Sequence, residues 1–217
     1  MAETGVTPRE RYRAQVRAEI MELARQQIAT AGASALSLNA IAKQMGISGP
    51  ALYRYFAGRD ELITDLIKDA YRSLADAARA ATDQGGGLPG VAYALRAWAL
   101  ADPHRYFLLY GTPVPGYHAP DDVTTIAAEI MAALLDAAPA PPLPQDGAAA
   151  ADFTDHLERH RSWDGGHPAP AATLHRVLSF WTRLHGVLSL ELAGHFAGMG
   201  FDPALLFAAE VDGLSRP

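Results

Sequence analysis

Residues 38–62 read LNAIAKQMGISGPALYRYFAGRDEL, and this stretch predicts two short helices joined by a tight turn. Two helices that pack at a steep angle need a small residue where they touch, and Ala42 supplies it. The turn between them needs a residue that tolerates a positive φ, and Gly46 is that residue. A small apolar core flanks the turn, made of Ile41, Met45, Ile47 and Leu52. The stretch therefore predicts a helix-turn-helix over about residues 37–56.

Both helices of this motif begin with a capping residue. Ser37 and Ser48 are predicted N-caps, and Pro50 falls in the first turn of the second helix, where its missing N–H costs nothing. The second helix should present small residues at its N-terminus, which let the backbone enter a DNA major groove closely. Tyrosine and arginine side chains behind them can reach phosphates. The residues expected to face outward are Ser48, Gly49, Ala51, Tyr53, Arg54 and Tyr55. A generic helical hairpin would carry the same alanine and glycine, so the alternative stays open on these residues alone.

Helical periodicity continues on both sides of the motif. The first predicted helix covers residues 9–31, ends at Gly32 and carries one apolar stripe: Val16, Ile20, Leu23, Ala24 and Ile28. A long helix is predicted from Arg59 to about Thr82, and further helices near residues 88–101, 103–110, 121–138, 150–162, 170–195 and 203–213. No stretch shows the alternation that a half-buried strand needs. The sequence therefore predicts an all-α protein.

Composition supports the same fold class and excludes several kinds of site. The 217 residues include 43 alanines, and alanine is the strongest helix former. The absence of cysteine excludes disulfides, cysteine-ligated zinc and thiol catalysis. No apolar run reaches the roughly 18–20 residues of a membrane span, and the polar, charged N-terminus is unlike a secretory signal. We therefore expect a cytoplasmic protein without a membrane partner.

Charge is unevenly distributed along the chain. Residues 1–59 carry a net charge of +4 and residues 60–217 a net charge of −10, within a formal total of −6. An acidic chain with a cationic beginning is typical of a nucleic-acid-binding region attached to an unrelated body. Four arginines lead into the first predicted helix: Arg9, Arg11, Arg13 and Arg17. They fit an arm that touches phosphates or the minor groove, and equally a solvated helix face.

Two stretches of the sequence carry a resemblance to a known family. The first resembles the DNA-binding head of the TetR/AcrR family of bacterial repressors, in the string Leu38-x-x-Ile41-Ala42-x-x-x-Gly46-Ile47-Ser48-x-x-Ala51-Leu52-Tyr53-x-x-Phe56-x-x-Arg59-x-Glu61-Leu62. The second, FWTRLHGVLSLEL at residues 180–192, resembles the Trp-x-x-x-His-Gly signature of one TetR C-terminal type. YGTPVPGY at residues 110–117 is also similar to that subgroup.

The resemblance implies a two-part regulator. We expect a DNA-binding domain over residues 1–74 and a helical ligand-binding and dimerisation domain over residues 75–217, with the helix from Arg59 as the only covalent link between them. Arg59 stands where the family usually has lysine, and Tyr55 where histidine is frequent. The residues expected to contact double-stranded, palindromic operator DNA are Ser37, Ser48, Gly49, Pro50, Ala51, Tyr53, Arg54, Tyr55 and Arg59.

The family also implies a homodimer held by the last two long helices, here near residues 170–195 and 203–213. The expected interface residues are Leu174, Val177, Leu178, Leu188, Leu192 and Phe207. The core of a monomer would explain the same apolar stripe, so this expectation rests on the resemblance. In a dimer, two recognition helices about 34–36 Å apart can read half-sites in successive major grooves.

A pocket for a small-molecule effector is implied in the second domain. Its candidate lining residues are Trp98, Tyr106, Phe107, Tyr110, Met131, Leu134, Phe153, Trp181 and His185. Aromatic residues at helical spacing are also what an ordinary core contains. An effector lowers operator affinity only if it binds more tightly to the conformation that does not fit DNA than to the one that does. The resulting hypothesis is a ligand-relieved repressor, and a DNA-binding dimer without an effector is the alternative.

Catalysis finds little support in the sequence. His156 and His160 lie one helical turn apart, beside Asp152 and Glu158, and two such histidines can share a metal. Polar residues on a solvated helix explain the same pattern. We therefore expect no enzyme, no cofactor and no metal, and keep a helical metal-binding protein or enzyme that uses His156 and His160 as a further alternative.

Overall fold

The computed structural model describes residues 7–138, 148–161 and 163–215. These residues contain helices and turns and no strand, which confirms the predicted all-α class. Ten α-helices lie among them: α1 (Pro8–Ala31), α2 (Leu38–Gln44), α3 (Gly49–Leu52), α4 (Arg59–Asp83), α5 (Gly87–Ala101), α6 (Pro103–Tyr110), α7 (Asp121–Ala137), α8 (Ala148–Arg159), α9 (Ala171–Leu192) and α10 (Pro203–Ser215). A single 3₁₀ turn, Ala33–Ala35, follows α1.

The chain divides into two compact units. Among the described residues, unit 1 contains those up to Ala70 and those from His104 to Ala119, and unit 2 contains the rest. The chain therefore passes from one unit to the other within α4, at the start of α6 and before α7. The expectation that α4 is the only covalent link is wrong, because α6 and its following loop belong to unit 1 although unit 2 flanks them on both sides.

In unit 1, α1 starts with a reciprocal cap. The Thr7 hydroxyl accepts from the Glu10 N–H at 3.2 Å, and the Glu10 carboxylate accepts from the Thr7 N–H at 2.8 Å. Pro8 occupies the first turn, where it needs no hydrogen-bond partner. The helix buries the predicted stripe at Val16, Ile20, Ala24 and Ile28 and ends at Gly32, whose φ is +79°.

The helix-turn-helix forms as predicted. Ser37 Oγ accepts from Ala40 N and Ser48 Oγ accepts from Ala51 N, both at 3.3 Å, so both predicted N-caps are confirmed. Gly46 has a φ of +67°, and the Ile47 N–H reaches back to the Ala42 carbonyl at 3.0 Å. This bond closes α2 in a glycine-dependent turn. Ile41 and Leu52 are fully buried in the predicted core.

The second helix of the motif is shorter than predicted. Its α-helical part, α3, ends at Leu52, whereas the sequence predicts a helix that runs through Phe56 and ends near Gly58. Tyr55 N donates to the Leu52 carbonyl at 2.8 Å, a three-residue step, and residues 53–55 continue as turns. This tightening ends the helix before Phe56, whose ring is fully buried.

The loop after α6 is tied to the helices of unit 1. The Tyr117 hydroxyl lies 3.0 Å from Thr64 Oγ1 on α4, and either group can be the donor. Thr64 is itself buried. On α6, Tyr106 is fully buried and its ring contacts those of Phe107 and Tyr110, with centroids 5.5 and 5.3 Å apart. The hydrogen bond to Thr64 ties residues 104–119 to α4 within unit 1.

Unit 2 is built around α9. This helix packs against α5, α7, α8 and α10, and Phe180, Leu184 and Leu188 on it are fully buried. Arg96 on α5 donates to the Glu191 carboxylate on α9 at 3.2 and 2.5 Å, and its guanidinium lies over the Phe207 ring. Along the described part of the chain, no helix is long and apolar enough to cross a bilayer.

Candidate nucleic-acid interface

The residues predicted to contact DNA lie around the helix-turn-helix with different exposure. Ser48, Pro50 and Arg54 are exposed, and Tyr53 keeps 49% of its surface. The half-buried members of the set are Ser37, Gly49, Ala51, Tyr55 and Arg59. Exposed side chains therefore stand at both ends of α3, as a recognition helix requires.

Backbone space at the start of α3 is compatible with a small side chain. A Cβ added at Gly49 would lie 3.6 Å from Asn39 Oδ1, which is an ordinary van der Waals distance. Gly49 also has no positive φ, unlike Gly46 in the preceding turn. Glycine at position 49 is therefore not required by the fold, and a substitution there changes mainly the surface that the helix presents.

Arg17 joins α1 to the end of the recognition segment, which we define as residues 48–56. Its guanidinium donates to the Tyr55 carbonyl and to the Asp65 carboxylate, lies 3.6 Å from Glu61 Oε1, and stacks 4.0 Å from the centre of the Phe56 ring. The side chain is 27% exposed. Neither a DNA-binding arm nor a solvated face describes this arginine, so both sequence interpretations were wrong for Arg17.

Arg13 makes a similar connection one turn earlier on α1. It donates to the Arg54 carbonyl at 3.2 Å, and its guanidinium lies 5.9 Å from the centre of the Tyr55 ring. Sequence reasoning missed both arginines as positioning residues, because their partners lie about 40 residues away. The sequence held one indication of this role: the two arginines lie four residues apart on the side of the first helix that carries Val16 and Ile20.

Arg59, the predicted phosphate contact, has an internal partner. Its Nη2 donates to the Ala33 carbonyl at 2.9 Å, and its Nη1 lies 3.8 Å from Asp60. The side chain remains 29% exposed. Arg59 therefore positions the 3₁₀ turn after α1, and a phosphate contact would have to use the donors that face solvent.

Two family models match this chain. "Bacterial regulatory proteins, tetR family" covers residues 20–66, which include the helix-turn-helix, and "Tetracyclin repressor-like, C-terminal domain" covers residues 88–214. The chain belongs to the TetR family. The resemblance in the sequence is thereby confirmed, and the chain is a DNA-binding transcriptional regulator.

Relatives of this chain are named as transcriptional regulators. HTH-type transcriptional regulator Rv1816 of Mycobacterium tuberculosis (strain ATCC 25618 / H37Rv) is 37% identical over 211 residues, which cover 91% of this chain and 90% of the relative. The same figures hold for HTH-type transcriptional regulator Mb1846 of Mycobacterium bovis (strain ATCC BAA-935 / AF2122/97). The family and these relatives are transcriptional regulators and not enzymes.

The crystal structure of SCO4313 is similar along almost the whole chain. It has 68% sequence identity and a TM-score of 0.89, covering 97% of this chain and 100% of that one. A protein of unknown function from Rhodococcus sp. RHA1 has a TM-score of 0.64 at 20% identity, covering 93% of this chain and 94% of that one. The second likeness concerns the fold alone.

The candidate effector residues of this TetR-family chain fall into both units. Tyr106, Phe107 and Tyr110 form the ring cluster of unit 1. The unit 2 members are Trp98, Met131, Leu134, Phe153, Trp181 and His185. Trp98 is 7% exposed and donates from Nε1 to Ser73 Oγ at 3.0 Å, and Leu134 is fully buried. Trp98, Tyr106 and Leu134 are therefore buried within the chain, while Trp181 and His185 are half-buried neighbours.

Trp181 and His185 of the Trp-x-x-x-His-Gly signature contact each other on α9. Their ring centroids are 4.1 Å apart at an interplanar angle of 63°. Burial lowers the pKa of His185 to about 4. Burial also lowers the pKa of His175, whose Nδ1 lies 2.9 Å from Thr154 Oγ1. Both imidazoles are therefore neutral in the folded protein at neutral pH.

Acidification is expected to destabilise the fold through His185. The unfolded histidine titrates near 6.5 and the folded one near 4, so the unfolded state binds the proton first and stability falls between these values. The loss between pH 7 and pH 5 should be about 2 kcal/mol, measured by urea unfolding. His185→Gln should remove most of this loss of stability, and the remaining loss should come from His175. His195→Gln, at an exposed site, should lose as much stability as the wild type. An unchanged pH dependence in His185→Gln would contradict this assignment.

Most of the predicted interface residues are not available to a partner. Leu174, Val177, Leu188 and Phe207 are fully buried within one chain, whereas Leu178 and Leu192 are half-buried. The structure therefore argues against the first four, because a side chain without solvent-accessible surface has none to bury against a second copy. The sequence stripe marks the inner face of α9, as the monomer-core alternative stated.

The histidine pair on α8 has a local structure of its own. The rings of His156 and His160 stack with centroids 4.0 Å apart, and His160 Nδ1 donates to the His156 carbonyl at 2.9 Å. In the described ranges, no three potential metal-binding side chains come together. The pair forms a solvated stack at the end of the helix, and nothing around it completes a metal site among these residues.

Proposed function

We infer that this protein is a homodimeric repressor that binds a palindromic operator through one helix-turn-helix per protomer and is released from it by a small-molecule effector. The observation that carries the DNA-binding part is the exposed surface at the ends of α3, built on two capped helices. The +4 charge of residues 1–59 supports the same surface, because cationic residues supply the salt-dependent part of DNA affinity.

Arg54 and Gly49 are proposed to make different kinds of contact. Arg54 is exposed after α3 and suits a phosphate, whereas Gly49 lies in the first turn of α3, where the backbone approaches base edges. Tyr53 is exposed beside Arg54 and suits the same backbone of the duplex. The dimer, as a proposal, would place two such helices at the spacing of successive major grooves.

Arg54→Ala is expected to weaken binding to every operator variant by a similar factor and to reduce the slope of log affinity against log salt by about 1. Gly49→Ala, which the fold accommodates, should instead change the order of preference among operator variants. Gel shifts across a panel of single-base operator variants at several salt concentrations measure both effects. A change of base preference in Arg54→Ala, with an unchanged salt slope, would contradict the phosphate assignment.

The outer faces of α9 and α10 are proposed as the dimer interface. Leu190 on α9 and Leu205 on α10 keep 45% and 70% of their surface. Gly186 on α9 and Ala193, which caps it, are exposed at steps of about one helical turn from Leu190. Small residues on either side of an exposed leucine allow close approach of a second helix pair. This face replaces the buried stripe that the sequence suggested.

Effector release is supported by the half-buried aromatic residues of unit 2. Trp181 and His185 offer an amphipathic surface on α9, and Phe153 keeps 41% of its surface on α8. The test is a screen for compounds that release a fluorescent operator from the wild type, repeated with Trp181→Ala. Loss of response in this variant, with operator affinity retained, supports the proposal. A protein that no compound releases would favour the effector-free dimer.

A further inference from the structure

Unit 1 contains a groove that belongs to neither the DNA-binding surface nor the unit 2 aromatic residues. It lies between the end of α1 with its 3₁₀ turn and α6 with the loop that follows, and its volume is about 340 Å³. This is within the range of small-molecule sites. Phe107 is the only candidate effector residue among its lining. We call it the α1–α6 groove.

The apolar wall of the α1–α6 groove is held in a fixed position. Ile28 of α1, Phe107 and Leu108 of α6 and Val114 of the loop all line the groove. Two prolines at positions 113 and 115 restrict the loop backbone, and the Tyr117–Thr64 hydrogen bond ties its far end to α4. A site whose walls are constrained before binding loses less entropy when a ligand enters.

The mouth of the groove carries hydrogen-bonding groups. Ser34, His104 and Thr112 line it and are exposed to solvent. Arg59 donates to the carbonyl of Ala33, another lining residue, so a guanidinium lies one hydrogen bond away from the groove wall, with the Asp60 carboxylate 3.8 Å from its Nη1. Hydroxyl and imidazole donors beside a guanidinium favour a ligand whose polar end is an anionic acceptor.

We propose that the α1–α6 groove binds a small apolar carboxylate, with its hydrocarbon part against Ile28, Phe107 and Leu108 and its carboxylate at Ser34 and Thr112. Such a ligand would act on the DNA-binding unit itself. Ala33 is bonded to Arg59 at the start of α4, and Gln27 on α1 accepts from the N–H of Ser37, the cap of α2, at 2.9 Å. Ala33 lines the groove and Gln27 directly precedes the lining residue Ile28, so the hydrogen bonds of Arg59 and Ser37 lead to or beside its wall.

The test uses 1-naphthoate and the whole ¹⁵N-labelled protein without DNA, so its result does not depend on the proposed repressor function. The amides of Gly32, Ser34 and Thr112 should shift on titration. Ser34→Trp should raise the dissociation constant about tenfold or more, whereas Ala35→Trp should leave it unchanged. Ala35 is exposed in the same 3₁₀ turn but does not line the groove. The neutral analogue 1-naphthalenemethanol should bind about tenfold more weakly than the carboxylate.

A second blocking variant keeps the test decisive if Ser34→Trp fails to fold. Thr112 also lines the groove and is exposed, and Thr112→Trp should likewise raise the dissociation constant about tenfold. Shifts confined to unit 2 residues would overturn the proposal. So would equal affinity of the Ser34→Trp and Ala35→Trp variants, or equal affinity for 1-naphthoate and its neutral analogue.

Discussion

Leu205→Glu is expected to convert the protein to a monomer and to weaken operator binding by about 10²–10⁴-fold, the range in which linked binding exceeds single-site affinity. Leu205 keeps 70% of its surface on α10, so the substitution removes few contacts within one chain. In the proposed dimer the same side chain is covered by the partner, where an unpaired carboxylate is costly. Each half-site would then be bound independently.

The measurement pairs sedimentation velocity with operator titration, and the control is Leu100→Glu. Leu100 is 42% exposed on α5, also in unit 2, so it matches the change in charge and hydrophobicity outside the proposed interface. A single half-site should be bound by Leu205→Glu as weakly as by the wild type. A dimeric Leu205→Glu protein with full operator affinity would refute the interface.

Arg17→Met is expected to destabilise the 217-residue protein by about 3 kcal/mol, or about 6–12 °C in the unfolding temperature. Methionine can still cover the Phe56 ring, but the Tyr55 carbonyl and the Asp65 carboxylate lose their donor. Operator binding should fall as well, because Tyr55 belongs to the recognition segment. Without the arginine, Asp65 should also repel Glu61, because in the wild type Arg17 lies close to the Glu61 carboxylate as well.

Thermal unfolding followed by circular dichroism measures the loss, with Arg11→Met as the control. Arg11 is exposed on the same helix, so its replacement changes net charge equally. Arg17→Lys should recover only part of the stability, because one ammonium group cannot reproduce the planar guanidinium that donates to both Tyr55 and Asp65. Equal unfolding temperatures for Arg17→Met and Arg11→Met would show that the observed contacts contribute nothing.

The parts of the fold that depend on neighbouring residues could be predicted from the sequence. Gly46 and the two serine caps act within four residues of their partners, so the pattern contains all the information needed. The same holds for most helix ends. The end of α3 differed because Phe56 packs into the core and the last turn tightens to accommodate it, which is a tertiary effect.

The parts that depend on distant residues could not be predicted. An apolar stripe shows that one face of α9 is covered, but not whether the same chain or a second copy covers it, and Leu174 turned out to be fully buried. Arginines on α1 look solvated in a helical projection until the carbonyls of Arg54 and Tyr55 are placed beside them. The position of residues 104–119 in unit 1 has no local signal either.

The hydrogen bond between Tyr117 and Thr64 limits how this regulator can be recombined with others. A chimera that takes only the first 74 residues would separate Thr64 from the hydroxyl that meets it and remove α6 from unit 1. A DNA-binding unit that could be moved into another protein consists here of two pieces that are separate in sequence, residues up to 70 and residues 104–119. Any exchange of unit 2 by recombination must therefore keep both pieces from the same parent.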